Sequence, residues 1–217
     1  MTQSDVPPLP FDMADRGVLR KTLRERRASL GAAERIAAAT AIVEHLEQIP
    51  EFITDERIAG YWAVCGELPL AGIIGGLRAR GQSYHLPIIS DDGRLRFAPW
   101  RPGNEIVVNR YGIPEPVAAP NELIEADAID VVLVPLLGFD RRGHRLGFGG
   151  GYYDRTFAFL RERARPAKPV LVGIGYAAQE IAGIEPQPWD VALDYIVTER
   201  ELVEIGPGIG GEGSKTD

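Results

Sequence analysis

Between Asp15 and Gln48 the apolar residues Val18, Leu19, Leu23, Leu30, Ile36, Ile42, Val43 and Leu46 recur at roughly helical spacing. Ser29-Leu30-Gly31 interrupts the run, so the pattern predicts two helices. The period then shortens. Runs rich in β-branched and aromatic residues at 57–64, 83–89, 95–100, 129–137, 169–176 and 194–199 read as strands. Several are apolar at successive positions, as expected of strands covered on both faces. Helical patterns at 70–80 and 152–163 separate some of them. The order predicts an α/β fold, a three-layer α/β/α sandwich around a mainly parallel sheet. No internal repeat is visible, and Pro-Gly connections such as 101–104 read as surface turns.

Composition adds boundaries. Residues 1–12 are rich in Pro and polar groups, and 204–217 offer little to bury, so both are predicted disordered tails around a single domain at 13–203. With 217 residues and 45% hydrophobic content, the chain can bury a substantial core. Acidic residues exceed basic ones by 31 to 24, so no global field attracts nucleic acid and any anion site must be local. The single Cys65 allows no intrachain disulfide. The N-terminus lacks the apolar core of a signal peptide, and no apolar run reaches ~18 residues, so a cytoplasmic protein without membrane or nucleic-acid partners is expected.

One stretch then asks for chemistry. RRGHRLGFGGGYYDRTF (141–157) follows the apolar strand at 129–137 and precedes a helix beginning near Tyr152, at the carboxyl end of a strand where open α/β sheets bind ligands. Gly147, Gly149, Gly150 and Gly151 let backbone amides approach a phosphate, although such a cluster alone is equally a flexible turn. It is not a Walker loop, because Gly151 is followed by Tyr152-Tyr153-Asp154. A cation must come from elsewhere, and Arg145 can donate a bidentate pair to phosphate. Asp154 can bind Mg²⁺; taken alone, an acidic residue in a first helical turn is more often a partner of the helix dipole. His45, His85 and His144 are scattered without metal-ligand spacing, Cys65 has no visible base, and Ser83 and Ser90 lie in no nucleophile elbow.

The segment VPLLGFDRRGHRLGFGGGYYDR resembles the signature of the 5-formyltetrahydrofolate cyclo-ligase family, also called methenyltetrahydrofolate synthetases. Further pieces agree in order: R16-GVL-R20, the strand end W62AVCGE67, NRYGIPEP, GIGYAAQE and PWDVALDYIVTE. The resemblance runs from about Arg16 to Glu199. It implies an ATP- and Mg²⁺-dependent closure of 5-formyltetrahydrofolate to 5,10-methenyltetrahydrofolate with release of ADP and phosphate, through phosphorylation of the formyl oxygen. By resemblance, Arg145 and the loop from Gly147 to Gly151 hold the phosphates, with Arg145 and Tyr153 as the catalytic pair. Tyr152 and Tyr153 stand near the junction of ATP and folate, and Asp154 and Asp190 are the metal carboxylates. Arg16 and Arg20, four apart on one helical face, reach the nucleotide; a second register using Lys21 and Arg24 also fits. Glu67 and the aromatics Trp62 and Phe148 are the folate side, where Phe148 replaces the Tyr, Met or Arg common at that position. The expected partners are ATP and 5-formyltetrahydrofolate, with or without a polyglutamate tail, acting on a monomer or weak homo-oligomer. Two other readings remain: a relative that binds folate or nucleotide without turnover, and a phosphohydrolase acting on another phosphate ester.

Overall fold

The structure, a computed structural model, describes residues 15–163 and 167–206; of the predicted tails 1–12 and 204–217, residues 1–12 and 207–217 lie outside the described residues. Helices α1 (Arg16–Ala28) and α2 (Ala32–Leu46) form as the periodicity predicts. Asp15 caps the first, accepting the Gly17 N–H at 2.6 Å, and the Glu34 carboxylate accepts the Gly31 N–H at 2.7 Å ahead of the second. Two short helices follow, α3 (Pro50–Thr54) and α4 (Ile74–Ala79).

The strands are β1 (Arg57–Ala59), β2 (Ser83–Ile89), β3 (Leu95–Pro99), β4 (Ile106–Val108), β5 (Pro114–Pro116), β6 (Val131–Pro135), β7 (Gly138–Phe139), β8 (Arg145–Leu146), β9 (Val170–Ile174), β10 (Tyr195–Val197) and β11 (Leu202–Glu204). Seven make one sheet in the order β11-β10-β9-β6-β1-β2-β3. Its middle, from β10 to β2, is parallel, and an antiparallel strand closes each edge. Pairs β4-β5 and β7-β8 stand apart as hairpins. Residues 204–206, which composition assigned to the tail, belong to the fold: Glu204 pairs with Tyr195, and the Ile205 N–H donates to Asp194 O at 2.8 Å.

Both faces of the sheet are covered. Along β6, Val131 and Leu133 join one core with Ala38, Ile42 and Leu46 of α2, whereas Val132 and Val134 join the other with Phe157 and Leu160. That period of two on a strand apolar throughout is the signature of a sheet buried between layers. The second layer is thin. The helix expected over 152–163 is α5 (Tyr152–Thr156) followed by a 3-10 segment, Ala158–Glu162. Between them Phe157, fully buried beside Phe97, Tyr153 and Phe159, sits at φ −100° and interrupts the α-helical geometry.

The topology locates a cleft. From the adjacent parallel strands β1 and β6 the chain moves outward in opposite directions, to β2 and to β9. This is a switch point, where the connections leave the strand ends to opposite sides and open a crevice. The predicted strand 57–64 ends at Ala59; Gly60 still donates to His85 O at 3.0 Å and packs where a Cβ would stand 2.0 Å from the Tyr84 hydroxyl. The chain then makes a turn in which Cys65 and Gly66 take φ of 50° and 81° and Glu67 follows. From β6 it enters β7, β8 and the glycine loop. The two segments singled out in sequence thus flank one switch point.

Candidate active site

Helix α1 roofs the crevice. Its apolar stripe, Leu19 and Leu23, packs with Leu137, Leu146, Ile181 and Ile184. Gly138 admits it, since a Cβ there would lie 2.6 Å from Leu23 Cδ1. With those leucines seated, the adjacent stripe Arg16, Arg20, Arg24 and Arg27, spaced by three or four, faces the glycine loop. Arg16 Nη2 donates to Asp190 Oδ2 at 2.8 Å and to Glu185 O at 2.7 Å. Arg20 Nε donates to Gly147 O at 2.9 Å. The Arg24 and Arg27 guanidiniums stand 5.7 and 5.0 Å from the centroid of the Phe148 ring, within cation–π range. Lys21 is exposed and lies off this stripe. Burial and the charges of Arg16 and Arg24 lower the Arg20 pKa, which marks crowded positive charge rather than loss of the proton.

The loop divides its glycines by task. Gly149 and Gly151 take φ of 105° and 66°, conformations that disfavour any side chain. A Cβ on Gly150 would meet the Tyr152 ring at 2.8 Å. A Cβ on Gly147 would meet nothing within 4 Å, so there the bare backbone faces open space. Phe148 projects between them, 40% exposed.

Arg145 departs from the expected geometry. A hairpin intervenes between β6 and the loop, so Arg145 is a strand residue with its side chain buried. Its Nη2 donates to Asp154 Oδ1 at 2.5 Å and its Nη1 to Val191 O. The guanidinium expected to clasp phosphate is therefore engaged from below, holding Asp154 and the segment that follows Asp190. Asp154 also accepts the Val191 N–H at 3.1 Å, and Asp190 Oδ2 accepts the Gln187 N–H at 2.9 Å beside its bond from Arg16. The two carboxylates are thus stitched together through residue 191. Each accepts an arginine and a backbone amide on one of its two oxygens. Among the described residues no three His, Cys, Asp or Glu side chains form a metal site. A hard divalent cation held by one or two carboxylates, with the rest of its shell from phosphate and water, fits this donor set.

Tyr153 is raised well above the ordinary phenol pKa by burial, with Glu67 and Tyr84 adding to it, so it keeps its proton. Tyr152 reaches the β4-β5 hairpin, where its hydroxyl donates to that of Tyr111 at 2.5 Å. Across the crevice, Glu67 is 8% exposed and accepts the Val64 N–H at 3.0 Å. Burial raises its carboxyl to about 7, against the lowering effects of that bond and the nearby Arg27 charge. Trp62 packs edge-on to Trp100, with centroids 5.8 Å apart.

Two side chains that sequence reading passed over organise the site. Asp140 is 1% exposed and accepts the backbone N–H groups of Arg142, His144 and Ile184 at 2.9–3.0 Å, plus the His144 Nδ1 and Arg142 side chain. It ties the β7-β8 turn to the segment leading to Asp190. Burial pushes its pKa up, but the bonds from Ile184, His144 and Arg142 hold it below the ordinary value. Its signal was present: Asp at the first and Gly143 at the fourth position of DRRG is a type I turn pattern. Arg27, 1% exposed, carries no comparable signal in a segment as basic as RKTLRERR.

The same arrangement of elements occurs in solved proteins. A 5,10-methenyltetrahydrofolate synthetase from Aquifex aeolicus superposes with a TM-score of 0.74 at 27% identity, over 92% of this chain and 97% of its own. A synthetase of the same name from Mycoplasma pneumoniae gives 0.67 at 26%, over 85% and 99%. Among curated sequences, 5-formyltetrahydrofolate cyclo-ligases of Mycolicibacterium smegmatis and Haemophilus influenzae are 30% and 28% identical, over 84% and 81% of this chain and 92% of each relative. Residues 12–199 match the model of the 5-formyltetrahydrofolate cyclo-ligase family, and the chain belongs to that family.

Proposed function

We propose that this chain converts 5-formyltetrahydrofolate to 5,10-methenyltetrahydrofolate with consumption of Mg²⁺-ATP, releasing ADP and phosphate. One observation carries the reading: the arginine stripe of α1, the open backbone at Gly147 and two arginine-bonded carboxylates converge on the switch point, with Glu67 on the neighbouring turn. A formamide oxygen leaves poorly, so the γ-phosphoryl group is transferred to it, N10 attacks the formyl carbon, and phosphate departs. Such chemistry asks for positioning and neutralised charge rather than a side-chain nucleophile.

The residues divide that work. Arg20 and Arg24 offer guanidinium nitrogens to phosphate from above, and the backbone around Gly147 offers close approach from below. Asp154 and Asp190 hold Mg²⁺ through their other oxygens; the metal, when bound, neutralises phosphate charge. Arg145 acts through Asp154, as the buried counter-charge that fixes its carboxylate. Tyr153, protonated, donates a hydrogen bond where nucleotide and folate meet. Glu67 takes the donor edge of the pterin, whose amino and ring N–H groups suit a carboxylate, and Trp62 and Phe148 are its aromatic neighbours. Incubating the purified protein with 5-formyltetrahydrofolate, Mg²⁺ and ATP and following the methenyl absorbance tests the whole. Folate binding without product would leave a sequestering protein, and ATP hydrolysis indifferent to folate would leave a phosphohydrolase.

A further inference from the structure

Arg27 is a fully buried guanidinium with no carboxylate within ion-pair distance among the described residues. Its Nη2 donates to Cys65 O at 2.8 Å and its Nη1 to Leu136 O at 3.4 Å, and its face lies 5.0 Å from the Phe148 centroid. These three partners belong to the turn carrying Glu67, the exit of β6 and the glycine loop. Arg35 of α2 buttresses the arrangement: its Nη2 donates to Arg27 O at 2.7 Å and its Nη1 to Gly66 O at 3.0 Å. Cys65, held at φ 50° in the only non-glycine left-handed conformation among the described residues, is the residue whose carbonyl Arg27 grips. Burying a cation against carbonyls and a ring, without a carboxylate bonded to it, is costly, and no packing need of α1 demands it, since Leu19 and Leu23 already seat that helix.

We infer that Arg27 is a positioning residue that ties the Glu67 turn to the glycine loop, setting the spacing between the folate and nucleotide halves of the crevice. The inference rests on the proposed function for its meaning in turnover, though not for its geometry. The groups facing Glu67 are Arg27 from α1, Tyr61 beyond β1 and Tyr153 from α5, with Arg35 of α2 on the adjoining Gly66 carbonyl. Of these, Arg27 is the cation nearest in effect, and it favours the ionised carboxylate.

The test compares wild type, Arg27→Met and Arg27→Lys. Steady-state kinetics should show KM for 5-formyltetrahydrofolate raised roughly tenfold in Arg27→Met, the loss of one charge-assisted contact, with KM for ATP changed less than about threefold. Lysine keeps the charge but cannot grip two carbonyls and a ring at once, so Arg27→Lys should restore the pH profile of kcat/KM and leave much of the KM defect. Independently of turnover, carbon NMR of the Glu67 carboxyl in the free protein should titrate at higher pH in Arg27→Met than in wild type or Arg27→Lys. A folded Arg27→Met with unchanged Glu67 titration and unchanged folate KM overturns the inference. If Arg27→Met does not fold, Arg27→Lys decides, since wild-type folate KM in that variant overturns it equally. A wild type that forms no methenyl product defeats the proposed function and leaves the titration arm standing as the test of geometry.

Discussion

Arg145 Nη2 lies 2.5 Å from Asp154 Oδ1, joining a buried strand residue to the first turn of the helix after the glycine loop. Asp154→Asn keeps an acceptor oxygen for Arg145 and the Val191 N–H but removes the charge opposite a buried guanidinium, so melting temperature should fall somewhat while ring closure slows and demands more Mg²⁺. Asp190→Asn should act alike, and the double variant should lose less than the product of the single losses, because the two serve one site. A Mg²⁺ titration of the rate with melting as control reads this. Normal Mg²⁺ dependence with a lowered melting temperature would leave Asp154 as a mere structural acceptor.

Arg145→Met strips the partners from a part-buried carboxylate and from Val191 O, so it should cost stability as well as rate, about 1–3 kcal/mol in a urea melt. A variant as stable as wild type but unable to bind ATP would restore Arg145 to direct contact with phosphate.

The glycines can be told apart by substitution. Gly149→Val imposes a side chain on φ 105° and should perturb the loop whether or not ligand is present. Gly147→Ala meets nothing within 4 Å and asks for no left-handed backbone, so its thermal stability should match wild type. Its ATP affinity, measured by calorimetry, should fall if that space is where phosphate lies. Wild-type affinity there would move the phosphate elsewhere.

Glu67 supplies a pH signature. Its carboxyl is raised from 4.5 to about 7, so the folded protein keeps a proton that the unfolded chain releases. Stability from this group is full below about 4.5 and is lost as pH climbs through 7, up to about 3 kcal/mol. Glu67→Gln should therefore flatten the fall in denaturant stability between pH 5 and 8, while weakening folate binding at pH 8. A variant with the wild-type slope would place the titration on another group.

Asp140 has the opposite sign. Its depressed carboxyl gives stability above the ordinary carboxylate range that is lost as pH falls through and below it. Asp140→Ala leaves the Ile184 and His144 amides without an acceptor, and about 2–4 kcal/mol should disappear at pH 7, together with the ordering of the segment to Asp190. Hydrogen exchange at Ile184 and His144 measures it directly, and unchanged protection there would remove Asp140 from that role.

Much of the fold was legible because local pattern and burial agree. The two α1–α2 helices, the six principal strands and the mainly parallel order follow from periodicity and from runs apolar on both faces. What escaped was set by tertiary contact. The strand at 57–64 ends at Ala59, before a turn with Cys65 and Gly66 at positive φ, and the helix at 152–163 breaks where Phe157 turns into the core. Hairpin β7-β8 spans two residues a side, too few to show a period, and it carried Arg145 from the loop into the interior. In the site, Arg20 meets Gly147 O and Arg145 meets Asp154, whereas Trp62 packs on Trp100. Which carboxylate would face which arginine across more than a hundred residues had no local signal: Arg16 and Asp190 are an example.

That Arg16–Asp190 pair carries a consequence for how the crevice fills. If Arg16 reaches phosphate, as the resemblance implies, its guanidinium must leave Asp190 Oδ2, and the carboxylate is left with a charge to be met. A cation on the other oxygen of Asp190 would meet that charge and loosen the hold on Arg16, so each ligand would ease the binding of the other. Metal and nucleotide should then bind with strong mutual dependence, each tightening the other, as a property of partner exchange rather than of added attraction.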